Sequence, residues 1–378
     1  MKLFMPRISW EGDYQKYFTE AFQQNGVEVM SNSNTFHRNR LIGFLGLRAI
    51  DGLRRSELRY YIEKYNKYVL RECLSFKPDV FFVFNESKLT SDTLLAIRKY
   101  CKCKMVLRVG DDPWDSIRWQ VDFPHNLKHY DIIFSADPIW NNNIRKVAPR
   151  ANIYWSVSGY DESSFTPVEN AGVTPRALFD RYSCDLSFVG SSYGIKAEGA
   201  YRADILSYLC DFNLKIWGGD NWEYRFRANP QLRDRYQGGK IPRSDLRYLY
   251  SLSKINLNIP APQITLYFQP RVFEMAACMG FQIADSRLLL SYLFSQDELV
   301  TFDSIDDLRE KVVYYLAHDQ DRRRITENLH KRIYGRYSWR QWANRTLHTI
   351  RTGEGIRDLD KLLIRTDDSE IRGLLSNA

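Results

Sequence analysis

Gln263-Ile-Thr-Leu-Tyr-Phe-Gln-Pro-Arg-Val-Phe-Glu-Met-Ala-Ala-Cys-Met-Gly-Phe-Gln-Ile-Ala-Asp285 is the stretch that decides how the chain folds. An apolar run ending near Ile259 feeds it as a strand. Pro270 stands at the first position of a helix and Gly280 at its stop, the asymmetry expected of helix ends. A new apolar strand, Phe281 to Ala284, follows at once. Strand, loop, helix and strand make a βαβ unit, and open α/β sheets bind ligands in the loops at the carboxyl ends of such strands. Arg271 and Glu274 are three residues apart and share a helix face. Phe273, Ala276 and Ala277 form the opposite, apolar face, small enough to press against a sheet.

The same alternation runs outward in both directions. Towards the C-terminus, strands are expected at Leu299–Phe302 and helices at Ile305–Ala317, Gln320–Tyr334 and Trp339–Thr352. Towards the N-terminus come strands at Asp185–Val189, Leu214–Trp217 and Lys254–Ile259, with helices at Tyr201–Cys210 and Arg243–Leu252. Residues 168–180 are irregular enough for an interdomain linker. Before them lie strands at 2–5, 27–30, 79–84, 104–109, 131–136 and 152–156, mostly separated by helical stretches. Alternation of this kind argues for doubly wound parallel sheets. At 378 residues the chain exceeds one core, since domains average about 150 residues. We therefore expect two Rossmann-like α/β domains facing a cleft: residues 1–165, residues 166–345, and a C-terminal helix and tail over 346–378. In that tail, Leu359 to Arg365 carries leucines flanked by charges and allows a short packing helix.

Composition bounds the function classes. An apolar content of 44% with 14% aromatics supports full cores and argues against disorder. The net charge of +8 suits anionic partners: nucleoside diphosphates, acidic lipid surfaces or nucleic acid. Six cysteines show no zinc-type pairing and read as free thiols of a reducing, cytoplasmic compartment. No run approaches the roughly 20 apolar residues of a membrane span, and Met1 to Pro6 reads as a strand, not a signal peptide. The first βα loop, 6–13, lacks a GxGxxG pattern, so a dinucleotide cofactor is not indicated.

Several stretches carry candidate chemistry. Gly190, Ser191, Gly218, Gly219, Gly239, Lys240 and Thr265 place small or polar residues in loops after strands. There the backbone can approach a phosphate and helix starts present free N–H groups. Arg271 can add a forked contact to a diphosphate. Val109-Gly-Asp-Asp-Pro-Trp-Asp115 follows a strand directly. Asp111 and Asp112 can orient an acceptor hydroxyl or take its proton. The alternative is an acidic turn whose Asp caps the next helix. Residues 36–55 interleave leucines and isoleucines with Arg38, Arg40, Arg48, Arg54 and Arg55. That pattern fits a peripheral contact with an anionic membrane, or a helix packed on the sheet with its arginines in water.

From Asp185-Leu-Ser-Phe-Val-Gly-Ser191 through Pro270-Arg-Val-Phe-Glu-Met-Ala-Ala-Cys278 to Asp285, the chain resembles glycosyltransferases of the spore-maturation-protein type, a branch of the GT-B fold. Lys215-Ile-Trp-Gly218, Gly239-Lys-Ile-Pro242, Leu249 to Asn258, Tyr315 to Asp319 and Tyr337-Ser-Trp-Arg340 extend the likeness. Gly110-Asp-Asp-Pro-Trp114, Asp131 to Phe134 and Phe165-Thr-Pro167 continue it more faintly. The resemblance implies a nucleotide-sugar donor on the C-terminal domain and an acceptor on the N-terminal one. That acceptor is expected to be a surface polysaccharide, a glycolipid or a protein. It implies that Glu274 holds the donor ribose, that Gly239, Lys240 and Ile241 lie beside the base, and that Gln269 to Arg271 face the diphosphate. Such enzymes need no bound metal or cofactor, because helix dipoles and basic side chains take up leaving-group charge. One departure stands out: the retaining pattern places a second Glu eight positions before Glu274, where this chain has Leu266. A GT-B-like binding or coat-assembly protein without turnover, and a transferase acting on nucleic acid, are the alternatives.

Overall fold

The computed structural model describes residues 1–6, 12–31, 51–85, 88–114, 123–168, 174–194, 197–262, 264, 266–355 and 363–365. It consists of two compact units, residues 1–157 with 340–378, and residues 158–339.

The first unit holds strands β1 (Lys2–Met5), β2 (Glu28–Ser31), β3 (Val80–Phe84), β4 (Lys104–Val109), β5 (Ile132–Ser135) and β6 (Asn152–Ser156). The second holds β7 (Cys184–Val189), β8 (Leu214–Trp217), β9 (Ser253–Asn258), β10 (Gln282–Asp285) and β11 (Val300–Phe302). A last strand, β12 (Leu363–Arg365), returns to the first unit. The orders are β12-β6-β5-β4-β3-β1-β2 and β11-β10-β9-β7-β8. Every pairing is parallel except β12 on β6. Val80 to Phe84 is buried at every position, as a parallel strand must be when helices cover both faces.

In each sheet the order reverses once, between β1 and β3 and between β7 and β9. At such a switch point the adjoining loops leave in opposite directions and open a crevice above the carboxyl ends. In the second unit one buried side chain fixes the register there. Asn256 accepts from Ser187 Oγ at 2.9 Å and donates to the carbonyls of Tyr250 and Phe281, each at 3.0 Å. An unsatisfied amide at this depth would cost about 1–3 kcal/mol, so a slipped pairing is penalised.

Five expectations are corrected. The chain leaves the first unit at Val157, not near 165, and returns at Arg340, not at 346. Helix Trp339–Thr352, divided at 345 in the sequence reading, packs in the first unit from Arg340 on: Trp342, 1% exposed, packs on Phe18, Phe22 and Phe82 and donates to Ser156 Oγ at 2.9 Å. The expected linker contains helix Arg176–Tyr182, started by Pro175 and anchored by Tyr182, whose hydroxyl donates to Asp245 at 2.8 Å. Leu363–Arg365 is an edge strand rather than a helix, because β6 leaves its outer backbone edge open to pairing. Finally, Gly280 is not the left-handed stop of its helix. Met279 takes that conformation, with φ +56, while a Cβ on Gly280 would sit 2.5 Å from the Tyr250 carbonyl oxygen. The basic stretch 36–55 lies outside the described residues except for the backbone of 51–55.

If the 339–352 helix completes the first unit's core, Trp342→Ala removes its largest contact there. We expect a loss of about 3–5 kcal/mol, read as a lower unfolding temperature in calorimetry. Unchanged unfolding would show the helix to be dispensable for the core.

Candidate nucleotide-binding edge of the second unit

The site is built at the β7/β9 switch point around a residue the sequence reading passed over, Arg202. Its helix, Ala197–Ser207, follows β7, and the side chain is only 2% exposed. Arg202 Nε donates to the Ile259 carbonyl at 2.9 Å and a terminal nitrogen donates to the Ser191 carbonyl at 2.9 Å. The guanidinium thereby ties the loop after β7 to the loop after β9. It lies over the rings of Phe188 and Tyr193, at 5.7 and 4.9 Å from their centroids. Among the described residues no carboxylate lies within ion-pair distance of it. Burial pulls its pKa below the ordinary arginine value; the nearby Arg271 charge pulls the same way, against an opposing contribution from Tyr193. A desolvated cation beside a second cation leaves the edge short of negative charge.

The loop after β7 takes an unusual backbone path. Tyr193 and Gly194 both take positive φ, +56 and +59, held by the Ser191 and Ser192 hydroxyls, which accept from their N–H groups. A left-handed tyrosine is strained, and strain of this kind gathers at binding loops. Gly190 and Gly218 are there for space. A Cβ on Gly218 would stand 2.2 Å from the Gly190 carbonyl oxygen, which already accepts from Trp222 Nε1 at 2.9 Å. Gly218 N donates to the Gly239 carbonyl at 3.1 Å, so the 239–241 segment runs beside the end of β8. Gly239 and Lys240 are exposed and Ile241 is half-buried.

On the other side of the switch point, helix Arg271–Ala277 is buried from Val272 onward. Glu274 is 7% exposed and accepts from Arg243 at 3.3 Å, so it is not a solvated helix glutamate. Arg271 is half-buried and hydrogen-bonds the phenol of Tyr250, whose pKa burial pushes far up. The approach to this helix is anchored by a buried ion pair. Asp285 receives two bonds from Arg287, at 2.5 and 3.0 Å, and one from the Tyr201 hydroxyl at 2.7 Å. Arg287 Nε also donates to the Ile264 carbonyl at 2.8 Å. Leu266 is 6% exposed, and its carbonyl accepts from Leu289 N at 3.2 Å; Thr265 lies outside the described residues.

Of the predicted donor residues, Ser191 is bonded by Arg202, which also lies near the Arg271 charge; Gly190 and Gly239 meet at Gly218; and Glu274 pairs with Arg243. Arg202 had a sequence signal: with Ile205, Leu206 and Leu209 it falls on the buried stripe of its helix, where a charge has no ordinary place. Asp111 and Asp112 belong to the first unit. Asp111 accepts from Asn85 Nδ2 at 3.0 Å, and Asn85 in turn accepts from Gly110 N at 2.7 Å. Asp112 accepts from Trp114 N at 2.9 Å, a turn contact; Asp115 and the residues to 122 lie outside the described set. Two cavities of the second unit, of 380 and 550 Å³, include none of Arg202, Arg271 and Glu274 in their walls. Among the described residues no group of His, Cys, Asp and Glu side chains is arranged to hold a metal ion, and no helix is long and apolar enough to cross a membrane.

Comparison with known proteins agrees with this architecture. Residues 202–348 match the family model described as "Glycosyl transferase-like". No curated protein matches the sequence. Sucrose-phosphate synthase from Thermosynechococcus elongatus superposes with a TM-score of 0.65 at 12% identity, covering 93% of this chain and 98% of that one. Anabaena HepE in complex with UDP-glucose gives 0.61 at 10% identity, over 93% and 100% of the two chains. An enzyme described as a UDP-N-acetylglucosamine 2-epimerase from Listeria monocytogenes gives 0.58 at 10%, over 93% and 96%. At such identities the likeness is one of fold, and the chain has the GT-B fold.

The Tyr201–Asp285 bond generates a prediction. Burial, then the bond to Asp285, pushes the Tyr201 phenol up to about 12. An unfolded tyrosine titrates near 10. The contribution is therefore complete below about pH 10 and is lost as pH rises towards 12, because the unfolded chain releases its proton first. Tyr201→Phe is expected to lower stability at neutral pH and to flatten its decline between these values in denaturant titrations. An unchanged alkaline slope would separate Tyr201 from that decline.

Proposed function

We propose that the chain is a glycosyltransferase that moves a sugar from a nucleoside-diphosphate sugar to a surface polysaccharide, glycolipid or protein, in the manner of the spore-maturation-protein branch. The observation that carries this reading is Arg202: a buried guanidinium with carbonyl and aromatic partners, beside Arg271, at the switch point of a parallel sheet. A diphosphate fits that demand, and the strained 190–194 loop brings backbone close to it. Glu274 then receives the ribose hydroxyls in place of, or beside, Arg243. Gly239, Lys240 and Ile241 border the base. Arg202 and Arg271 oppose the charge that develops on the leaving diphosphate, a role that needs positioned donors rather than proton transfer. The family match over 202–348 and the UDP-sugar complex of HepE support this reading.

On the acceptor side, Asp111 is the better of the two carboxylates as a general base. Asp112 spends an oxygen on the Trp114 turn, whereas Asp111 is oriented by Asn85. The buried Leu266 favours a second reading, a binding protein that holds the nucleotide without turnover. Transfer or slow hydrolysis of the donor decides between the two readings.

A thermal-shift panel of nucleoside diphosphates and their sugars tests the donor, because a ligand specific to the folded state raises its stability. Glu274→Ala is expected to weaken nucleotide binding by about 10–100-fold, the worth of a hydrogen bond to a charged group. Arg202→Met should lose a comparable factor and also unfold at a lower temperature, since the Ser191 and Ile259 carbonyls lose their donor; affinity is therefore measured well below that temperature. Wild-type affinity in both folded variants would refute the assigned site.

A further inference from the structure

The first unit contains a pair of thiols in contact that the proposed activity does not use. Cys73 lies near the end of helix Asp51–Phe76 and is 0% exposed. Cys101, half-buried, is the last residue of helix Ser91–Cys101. Their Sγ atoms are 3.7 Å apart, and Cys101 Sγ also lies 3.7 Å from the Cys73 carbonyl oxygen. Both helices stop on left-handed lysines, Lys77 and Lys102, each with φ +52. Cys103 is buried nearby, 3.9 Å from the Met105 sulfur.

We propose that Cys73 and Cys101 form a reversible oxidation site, a dithiol that a hydroperoxide converts into a disulfide joining the two helix ends. Cys101 is the entry point, because it is the member of the pair that solvent reaches. Its sulfur attacks one peroxide oxygen; the O–O bond breaks, and the products are Cys101 sulfenic acid and a molecule of water (or alcohol). The Cys73 sulfur then attacks the sulfenic sulfur, forming the S–S bond and releasing the hydroxyl as water with the Cys73 proton. Two thiols lose two electrons in all, and the peroxide gains them. A small dithiol reverses the step by exchange.

Two features favour this pair over other outcomes. A disulfide needs the sulfurs at about 2.05 Å. Cys101, as a helix's terminal residue, can move towards its partner without breaking an interior turn. Burial raises both thiols, so the greater solvent access of Cys101 decides which sulfur meets peroxide first, and the contact between the two sulfurs makes Cys73 the nearest thiol to the product. The cross-link would close a loop of 28 residues' separation that contains β3 and Asn85, the partner of Asp111. It acts on the unfolded chain, which loses loop freedom, and so raises stability.

The test uses the full chain with hydrogen peroxide, then alkylation and trypsin without reductant. The expected product joins Glu72–Lys88, intact because Pro78 follows Lys77, to Tyr100–Lys102, lighter by two hydrogens and separated by dithiothreitol. Cys103 falls on its own dipeptide, so the partners are unambiguous. The oxidised protein should also unfold several degrees higher, with no such gain in Cys101→Ser. Sulfinic acid on Cys101 without a cross-link, a Cys101–Cys103 link, or a disulfide between two chains would each overturn the proposal. A cross-linked wild type with unchanged unfolding temperature would overturn its stapling role.

Discussion

The second unit depends on one guanidinium kept out of water. Burying Arg202 costs solvation that carbonyl bonds and ring contacts offset only in part. The surroundings are arranged around that cost. Asn256 locks β7, β9 and β10 in register, so that Ser191 and Ile259 end side by side and both carbonyls can be reached from one side chain. Gly190 leaves room for the Phe188 ring beneath Arg202, and Gly218 leaves room for the Gly190 carbonyl. Gly199 lets the helix of Arg202 approach the loop so closely that a Cβ there would meet the Ser192 carbonyl oxygen at 1.5 Å. Each of these glycines is a packing requirement first, and the open backbone they leave is a consequence.

How much of this was legible in the sequence follows from the range of each interaction. Parallel strands such as Val80 to Phe84 announce themselves, because both faces are buried and every residue must be apolar. The expected donor residues were legible only as small or polar residues after strands, a pattern that close packing at such turns also produces. What links them was not. Arg202 meets Ser191 and Ile259 across 11 and 57 residues, and Arg243 meets Glu274 across 31. No local pattern carries such pairings. Helix 339–352 fails for a related reason: its apolar stripe says that it packs, and only Trp342 against Phe18, Phe22 and Phe82 says on which unit. Gly280 shows the opposite error, a glycine read as a helix stop when the constraint is a carbonyl from another helix.

The buried Glu274–Arg243 pair bears on what the edge is for. Pairs this deep add little stability, because desolvating two charges consumes most of their attraction. A helix as apolar as 272–277 would pack as well with leucine at 274. Arg243 is the less buried partner, with its side chain 25% exposed, and it lies over the Phe165 ring at 4.8 Å, a platform that does not depend on the carboxylate. Arg243 thus has two separate contacts, the carboxylate and the ring. Burial and a bond to Arg243 set this carboxylate apart from an ordinary solvated helix glutamate. With a buried leucine at 266, that position adds no second carboxylate beside the helix of Glu274.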